Sequence, residues 1–287
     1  MKLQAFDVDL RDRYLRHLGF AAGELPGPPS SALLRRLHHA QLDRVPYENL
    51  EIQLGRPTTI DPRESANRIV TGRGGYCYHL NGSFAALLLS LGFDVALARG
   101  APVDPSVDPP AWGAHMVLLV RIGSETWIPD VGLGDGYRDP IPLVAGGPLV
   151  QGPFAYRLEQ VGGPFWRFHH DPHASIAGFD FDVTPVPLGA FAAMHRYLPR
   201  SSESSFVQKL VVQRRWAEYA LTLRGCVLTR ADAGGRSSRD VVKEREWTAL
   251  LHEEFGLRLS DVDEDVRRAL WTRVRTAHEA WDRAGRP

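Results

Sequence analysis

Residues 71–83 read TGRGGYCYHLNGS, and the reading of this stretch decides the fold around it. Gly74 and Gly75 stand just before Cys77, one of two cysteines in 287 residues, and the apolar run Phe84-Ala85-Ala86-Leu87-Leu88 follows. The pattern predicts a helix from near Cys77 to Leu91, stopped by Gly92 as its C-terminal cap. Cys77 then opens that helix, where unpaired N–H groups and the helix dipole favour a thiolate. Two readings of the cysteine stand side by side. It is a small hydrophobe under a helix cap, or a nucleophile whose partners lie elsewhere in the chain.

Upstream, residues 1 to about 92 read mainly as helix. Ser30 and Ser31 precede Leu33, Leu34, Leu37 and Ala40, a cap followed by an apolar stripe of helical period. Asp61-Pro62-Arg63-Glu64 supplies a cap, a first-turn proline and an acid three residues beyond the cap. Downstream the pattern changes. Residues 94–100, 114–122, 125–133, 154–161 and 165–170 are short, apolar or alternating segments between Gly and Pro turns, at barrel or sandwich spacing. Ile122-Gly123-Ser124-Glu125 reads as a hairpin turn. In the last block SSFVQKLVVQRRW and YALTLRGCVLTRAD read as strands, whereas EREWTALLHEEFG and DEDVRRALWTRVRTAHEAW read as helices. The expected fold is α+β: a helical bundle over 1–92, a small β-barrel over 93–190 and an α/β segment over 191–287.

Composition narrows the function classes. Hydrophobic residues at 44% and charged residues at 24% are globular values, which excludes a disordered chain. Lys plus Arg equals Asp plus Glu at 34 each, which argues against non-specific nucleic-acid binding and a polybasic membrane surface. The apolar run from Phe84 is too short to span a membrane. The first 20 residues are charged throughout with no apolar signal core. Cys77 and Cys226 cannot make a disulfide framework. A cytoplasmic protein with reduced thiols is the simplest expectation.

A catalytic cysteine needs an imidazole base, itself oriented by a carboxylate or amide. His115 opens one predicted strand and Asp130 ends the next. Pairing of those strands through the 122–125 turn sets the two ends side by side, within hydrogen-bonding reach. Hairpin geometry does not say whether the Cys77 helix packs against those ends. Other groups have blander readings. Cys226 lies in a strand pattern without His or acid context and reads as core. His169, His170 and His173 sit on a Pro-broken turn without a metal-ligand frame and read as a solvated loop. Trp271, Val274, His278 and Trp281 fall at helical spacing and read as packing.

RGGYC at 73–77, with His115 and Asp130 in order behind it, resembles the nucleophile motif and triad of the arylamine N-acetyltransferases of bacterial type. VPYENL at 45–50, DVGLGDG at 130–136 and SSFVQKLVVQR at 204–214 resemble further motifs of that family, and the match covers nearly the whole chain. The resemblance implies a cysteine-protease-like catalytic core with the C-terminal segment as a lid. It implies a Cys77-His115-Asp130 triad that takes an acetyl group from acetyl-CoA and passes it to a small aromatic amine, with no metal. Gly132, Gly134 and Gly136 would approach the coenzyme A arm, and Tyr47, Tyr78, Leu133 and Phe206 would line the acceptor pocket. Two positions depart from the family pattern. His79 stands where the family usually carries Glu, which leaves Arg73 or a neighbouring Arg in need of another partner such as Glu48 or Glu51, and Leu133 stands where it often has Phe. The same triad order suits an amide synthase of antibiotic biosynthesis fed by an acyl carrier protein, a cysteine hydrolase or transglutaminase-like enzyme, or a binding module with a vestigial site.

Overall fold

The computed structural model describes residues 2–21, 27–103 and 111–286. Helix α1 (Val8–His17), capped by the Asp7 carboxylate on the Leu10 N–H at 2.9 Å, lies against the later helices. In α2 (Ser31–Leu42) the Ser30 hydroxyl accepts from the Leu33 N–H at 3.2 Å, and Leu33, Leu34 and Leu37 are buried, as the apolar stripe requires. A two-residue strand, β1 (Tyr47–Glu48), and the single turn α3 (Leu50–Gln53) lead into α4 (Pro62–Val70). Asp61 caps α4 on the Arg63 N–H, but Glu64 turns back to the Thr59 N–H at 3.1 Å and not to the cap residue. Next comes α5 (Cys77–Ser90), whose first twelve residues are all buried. A helix apolar on every side must sit inside the protein, and α5 is the axle of the largest apolar cluster, with Leu80, Phe84, Leu87 and Leu88 fully enclosed. Gly92, at φ +84°, ends it as expected.

The second layer is an antiparallel sheet of eight strands: β2 (Asp94–Pro102), β3 (His115–Ile122), β4 (Glu125–Ile128), β5 (Ile141–Pro142), β6 (Gly146–Gln151), β7 (Phe154–Gly162), β8 (Phe165–His169) and β9 (Gly178–Val186). The strand order is β5-β4-β3-β2-β9-β8-β7-β6, so β5 and β6 are its two edges and the sheet curls into a half-barrel. Tyr137, Tyr156, Phe168, Phe179 and Phe181 belong to one buried apolar cluster packed on this sheet. β3 and β4 form the expected hairpin, with Ile122 opposite Glu125 and Gly123 at φ +61°.

After a 3-10 turn (Leu188–Phe191) come α6 (Ala192–Tyr197) and α7 (Ser205–Gln208). A five-stranded antiparallel sheet follows, in the order β1-β10-β11-β12-β13, from β10 (Val211–Arg215), β11 (Tyr219–Arg224), β12 (Val227–Asp232) and β13 (Gly235–Asp240). Its first strand is contributed by residues 47–48, with Tyr47 opposite Gln213. Helices α8 (Glu244–Glu253) and α9 (Glu264–Arg283) cover this sheet through Trp247, Leu251, Trp271 and Val274. Among the described residues no helix is long and apolar enough to cross a membrane.

Three expected elements differ in extent or setting. The strand over 125–133 stops at Ile128, because Pro129 has no N–H for the ladder and the chain turns away through Val131–Gly136. The strand over 204–216 is split into a helical turn and β10; the Ser204 hydroxyl accepts from the Phe206 N–H at 3.3 Å and caps that turn. The histidine turn is not uniformly solvated: His170 is buried while His169 and His173 lie nearer the surface.

Candidate active site

Cys77 owes its place to the two glycines and to VPYENL. A methyl group at Gly74 would lie 2.1 Å from the Pro46 carbonyl oxygen, so only glycine allows the two segments to meet. The Glu48 carboxylate accepts from the Gly74 N–H at 3.0 Å, and the Glu48 N–H donates to the Gly75 carbonyl at 2.9 Å. Asn49 reaches the other way: its amide donates to the carbonyls of Phe206 and Lys209 at 2.9 and 2.8 Å, and its oxygen accepts from the Val211 N–H. The motif therefore clamps the nucleophile turn to the segment that carries Phe206. Cys77 follows as the first residue of α5 and is 4% exposed, so its thiol meets little bulk water.

His115 and Asp130 come together, although not by hairpin register. Continuing the β3–β4 ladder would set Asp130 opposite Val117. The contact forms after β4 has ended, where the chain bends and returns Asp130 toward the start of β3. There His115 Nε2 lies 2.6 Å from Asp130 Oδ2. The Cys77 side chain acts on the same ring and helps to favour its charged form; with Nε2 taken by the carboxylate, Nδ1 is the nitrogen left for sulfur. Cys77 Sγ also lies 3.7 Å from the Ala114 carbonyl.

Two residues that sequence reasoning missed hold Asp130. Asn81 donates to Asp130 Oδ1 at 2.9 Å and to the Met116 carbonyl at 2.7 Å, and its oxygen accepts from the Val131 N–H at 2.9 Å. The Gly132 N–H supplies a further donor to Oδ1 at 2.9 Å. His38 Nε2 accepts from the Asp130 N–H at 3.1 Å while its Nδ1 donates to the Arg138 carbonyl at 2.7 Å, which fixes its tautomer. The signals were present: Asn81 is a polar residue one turn after Cys77 in an apolar helix, and His38 interrupts the apolar stripe of α2.

Electrostatics separate the two imidazoles. Burial works against a charged His115, but the Asp130 charge and hydrogen bond, with Cys77 adding in the same direction, push it up to about 10. Burial brings His38 down to about 4, the Arg138 and Asp130 contacts only partly offsetting it. One ring is held as imidazolium beside the sulfur; the other stays a neutral prop.

The remaining residues singled out above fall around this centre. A Cβ at Gly132 would come 2.7 Å from Cys77 Cα, and one at Gly134 would meet the Gln213 side chain, so the 130–136 loop passes directly over the nucleophile and against β10. A Cβ at Gly136 would meet Leu133, which is itself buried in the half-barrel. Tyr47 and Phe206 stack edge to face at 6.4 Å, and Tyr76 packs on Phe206 at 5.2 Å. Tyr78 is fully enclosed between Tyr76, Phe191 and His195, and its hydroxyl donates to the Gly113 carbonyl, tying α5 to the approach of His115. Arg73 is paired with Glu51, with Asp261 at 3.6 Å, so one of the two carboxylates anticipated from YENLE does hold it. Glu48 is spent on the backbone. His79 is buried with neither ring nitrogen hydrogen-bonded, and the neighbouring Arg68 has two buried nitrogens in the same condition. Arg68 is ion-paired with Glu64 at 3.9 Å, but these two nitrogens make no hydrogen bond, and no acid at 79 supplies one. Cys226 is buried, and burial pushes its thiol up to about 11. His169 and His173 are engaged with Glu159 and Asp171 respectively, and do not converge with His170.

Comparison with known proteins agrees with this geometry. The N-acetyltransferase family model matches residues 32–264. The chain is 31% identical to the arylamine N-acetyltransferase / N-hydroxyarylamine O-acetyltransferase of Salmonella typhimurium over 272 residues, covering 91% of this chain and 94% of that one. It is 30% identical to the arylamine N-acetyltransferase of Escherichia coli, over 79% and 83% of the two chains. Among solved structures, the arylamine N-acetyltransferase of Nocardia farcinica superposes with a TM-score of 0.81 at 29% identity, over 92% of this chain and 94% of that chain. That of Mycobacterium marinum in complex with CoA gives 0.82 at 25% identity, over 92% and 98%. With a cysteine at a helix start, a His–Asp pair beside it and a half-barrel around them, the chain belongs to the arylamine N-acetyltransferase family.

Proposed function

We propose that the protein transfers an acetyl or other short acyl group from acyl-CoA to an arylamine, arylhydrazine or N-hydroxyarylamine, through an acyl-cysteine on Cys77. The observation that carries this reading is the 2.6 Å contact between His115 and Asp130, with Cys77 Sγ 3.7 Å from the carbonyl of the adjacent Ala114. The Cys77 thiolate attacks the thioester carbonyl, forming the C–S bond to the enzyme. Collapse breaks the C–S bond to CoA, which leaves with the proton of the His115 imidazolium. The amine nitrogen then attacks the acyl-cysteine, now-neutral His115 takes its proton, and the departing Cys77 thiolate restores the ion pair. Asp130 orients the ring and offsets its charge throughout. None of these steps calls on a metal.

The surroundings support the roles. As first residue of α5, Cys77 has an N–H without an intrahelical acceptor, placed to receive the oxyanion; one such donor contributes about 3 kcal/mol. Gly132, Gly134 and Gly136 leave three positions of the 130–136 loop without side chains, with Gly132 against the nucleophile, suited to the thioester arm. Tyr47, Leu133 and Phe206 offer faces for a flat amine, with Tyr78 packed behind them. We assign the nucleophile to a helical domain over 1–92, its partners to a domain over 93–190 and a lid to 191–287, around a cysteine-protease-like core. A cytoplasmic setting, where thiols stay reduced, fits the chemistry.

The test is isotope exchange without acceptor. Labelled CoA should pass into acetyl-CoA in the absence of any amine, because the first half-reaction is complete in itself. Exchange that starts only when an amine is added would contradict the acyl-enzyme route. Failure with every acyl-CoA, but acylation by a carrier-protein thioester, would move the protein to the amide synthases.

A further inference from the structure

Away from Cys77, Asp240 at the end of β13 faces His278 and Asp282, which lie one turn apart on α9. His278 Nε2 is 3.8 Å from Asp240 Oδ2 and 3.8 Å from Asp282 Oδ2, and one donor atom from each residue falls within 4.8 Å of the others. The His278 side chain is 3% exposed, and its Nε2 is buried without a hydrogen-bond partner. A buried imidazole nitrogen aimed between two carboxylates and bonded to neither is unsatisfied as it stands. Burial cost is not its explanation, since an inward apolar residue would pack there without the penalty.

Arg286 holds the space that a cation would take. Its guanidinium bridges the two carboxylates, with Nη2 2.5 Å from Asp240 Oδ2 and Nε on Asp282 Oδ1, and lies over the Trp281 ring at 5.1 Å. It is the one non-glycine residue of positive φ, +58°, among the described residues, so the contact is held against the ordinary backbone preference. The guanidinium satisfies the carboxylates but makes no hydrogen bond to His278 Nε2, so the lone pair of a neutral ring at that nitrogen stays unmet. A metal ion can satisfy all three groups at once.

We propose that Asp240, His278 and Asp282 form a binding site for a divalent transition metal, Zn²⁺ by its donor chemistry, with Arg286 as the competing internal cation that the metal displaces. One imidazole and two carboxylates are a common zinc set, with water in the fourth position; the imidazole disfavours Ca²⁺ and Mg²⁺. Tetrahedral coordination sets ligand atoms roughly 3.4 Å apart, so the two 3.8 Å separations need only a small contraction. Asp240, His278 and Arg286 line a groove of about 430 Å³ between the C-terminal sheet and α9, which gives the ion a route in. The metal would pin the end of α9 to the edge strand β13, a structural role separate from the chemistry at Cys77.

The experiment is Zn²⁺ titration by calorimetry on Cys77→Ser protein, which removes the thiolate as a rival ligand. One Zn²⁺ per chain should bind, with a rise in melting temperature, and Co²⁺ should give a tetrahedral d–d spectrum without thiolate charge transfer. Asp282→Asn, at an exposed position, should fold normally without metal and weaken binding at least tenfold. Arg286→Ala should tighten it at least tenfold by removing the competitor. Absence of saturable one-to-one uptake, uptake indifferent to Asp282→Asn, or uptake seen only once Arg286 is removed would each overturn the proposal for the natural chain.

Discussion

Asn81, one helical turn beyond Cys77, donates to Asp130 at 2.9 Å and accepts the Val131 N–H at the same distance. This single amide joins the nucleophile helix to the loop that carries the carboxylate, so the spacing of Cys77 and His115 depends on it. Asn81→Ala should leave the Val131 N–H and one lone pair of Asp130 unmet in the interior. The expected cost is about 1–3 kcal/mol in urea unfolding, with acetyl transfer falling by a larger factor than stability because the ring loses its register. Unchanged kcat in a fully folded Asn81→Ala protein would remove Asn81 from the positioning machinery.

The state of His115 gives a direct spectroscopic prediction. Its folded-state pKa is raised to about 10, so nitrogen NMR should show an imidazolium through neutral pH that titrates only near that value. The ion pair's contribution to stability is then complete below the unfolded value of about 6.5 and is lost as pH rises through the folded value. In Asp130→Asn the charge that offsets burial is gone, and the ring should be neutral at pH 7. An imidazolium retained in that variant would mean that Asp130 does not hold the proton.

His38 titrates in the opposite sense. Burial depresses it to about 4, so the unfolded chain binds its proton first as pH falls. Stability should drop between about pH 6.5 and 4, by on the order of 3 kcal/mol from this group. His79, His170 and His195, also held neutral by burial, add to the same slope. Melting temperatures recorded from pH 7 to 5 should fall, and less steeply in His38→Gln. An equal slope in the two proteins would show that His38 charges without penalty.

His79 and Arg68 both carry buried nitrogens without a hydrogen bond beside the nucleophile turn. Placing an acid at position 79 should supply hydrogen bonds that Arg68, ion-paired only with Glu64 at 3.9 Å, does not make. His79→Glu is expected to raise stability by about 1–3 kcal/mol and to leave acetyl transfer within about tenfold of wild type, or roughly 1.4 kcal/mol. A wild-type protein that is inert while His79→Glu turns over would show that the histidine had disabled the site.

Much of this was legible in the sequence because it was written in local patterns. Ser30 and Asp61 cap where they should, the apolar run after Cys77 becomes the central helix, and the Gly123 hairpin forms between the expected strands. What escaped was non-local. Tyr47 and Glu48 pair with a strand more than 160 residues later, and nothing in two residues announces a strand. The His115–Asp130 contact was expected for a reason that did not hold: Pro129 ends the ladder, and a bend makes the contact. Asn81 and His38 act through tertiary contacts that no period or cap encodes. His170 looked solvated because its neighbours are polar, yet the fold turns that one ring inward.

The central claim is that Cys77 carries the acyl group, and intact-protein mass spectrometry tests it most directly. Incubation with acetyl-CoA and no acceptor, followed by peptide mapping, should find one acetyl group, on Cys77. Cys226, buried and with its thiol pushed up to about 11, should stay unmodified, and addition of an arylamine should return the mass to that of the free protein. A protein that stays unmodified at saturating donor, or one acetylated on Cys226, would contradict the account.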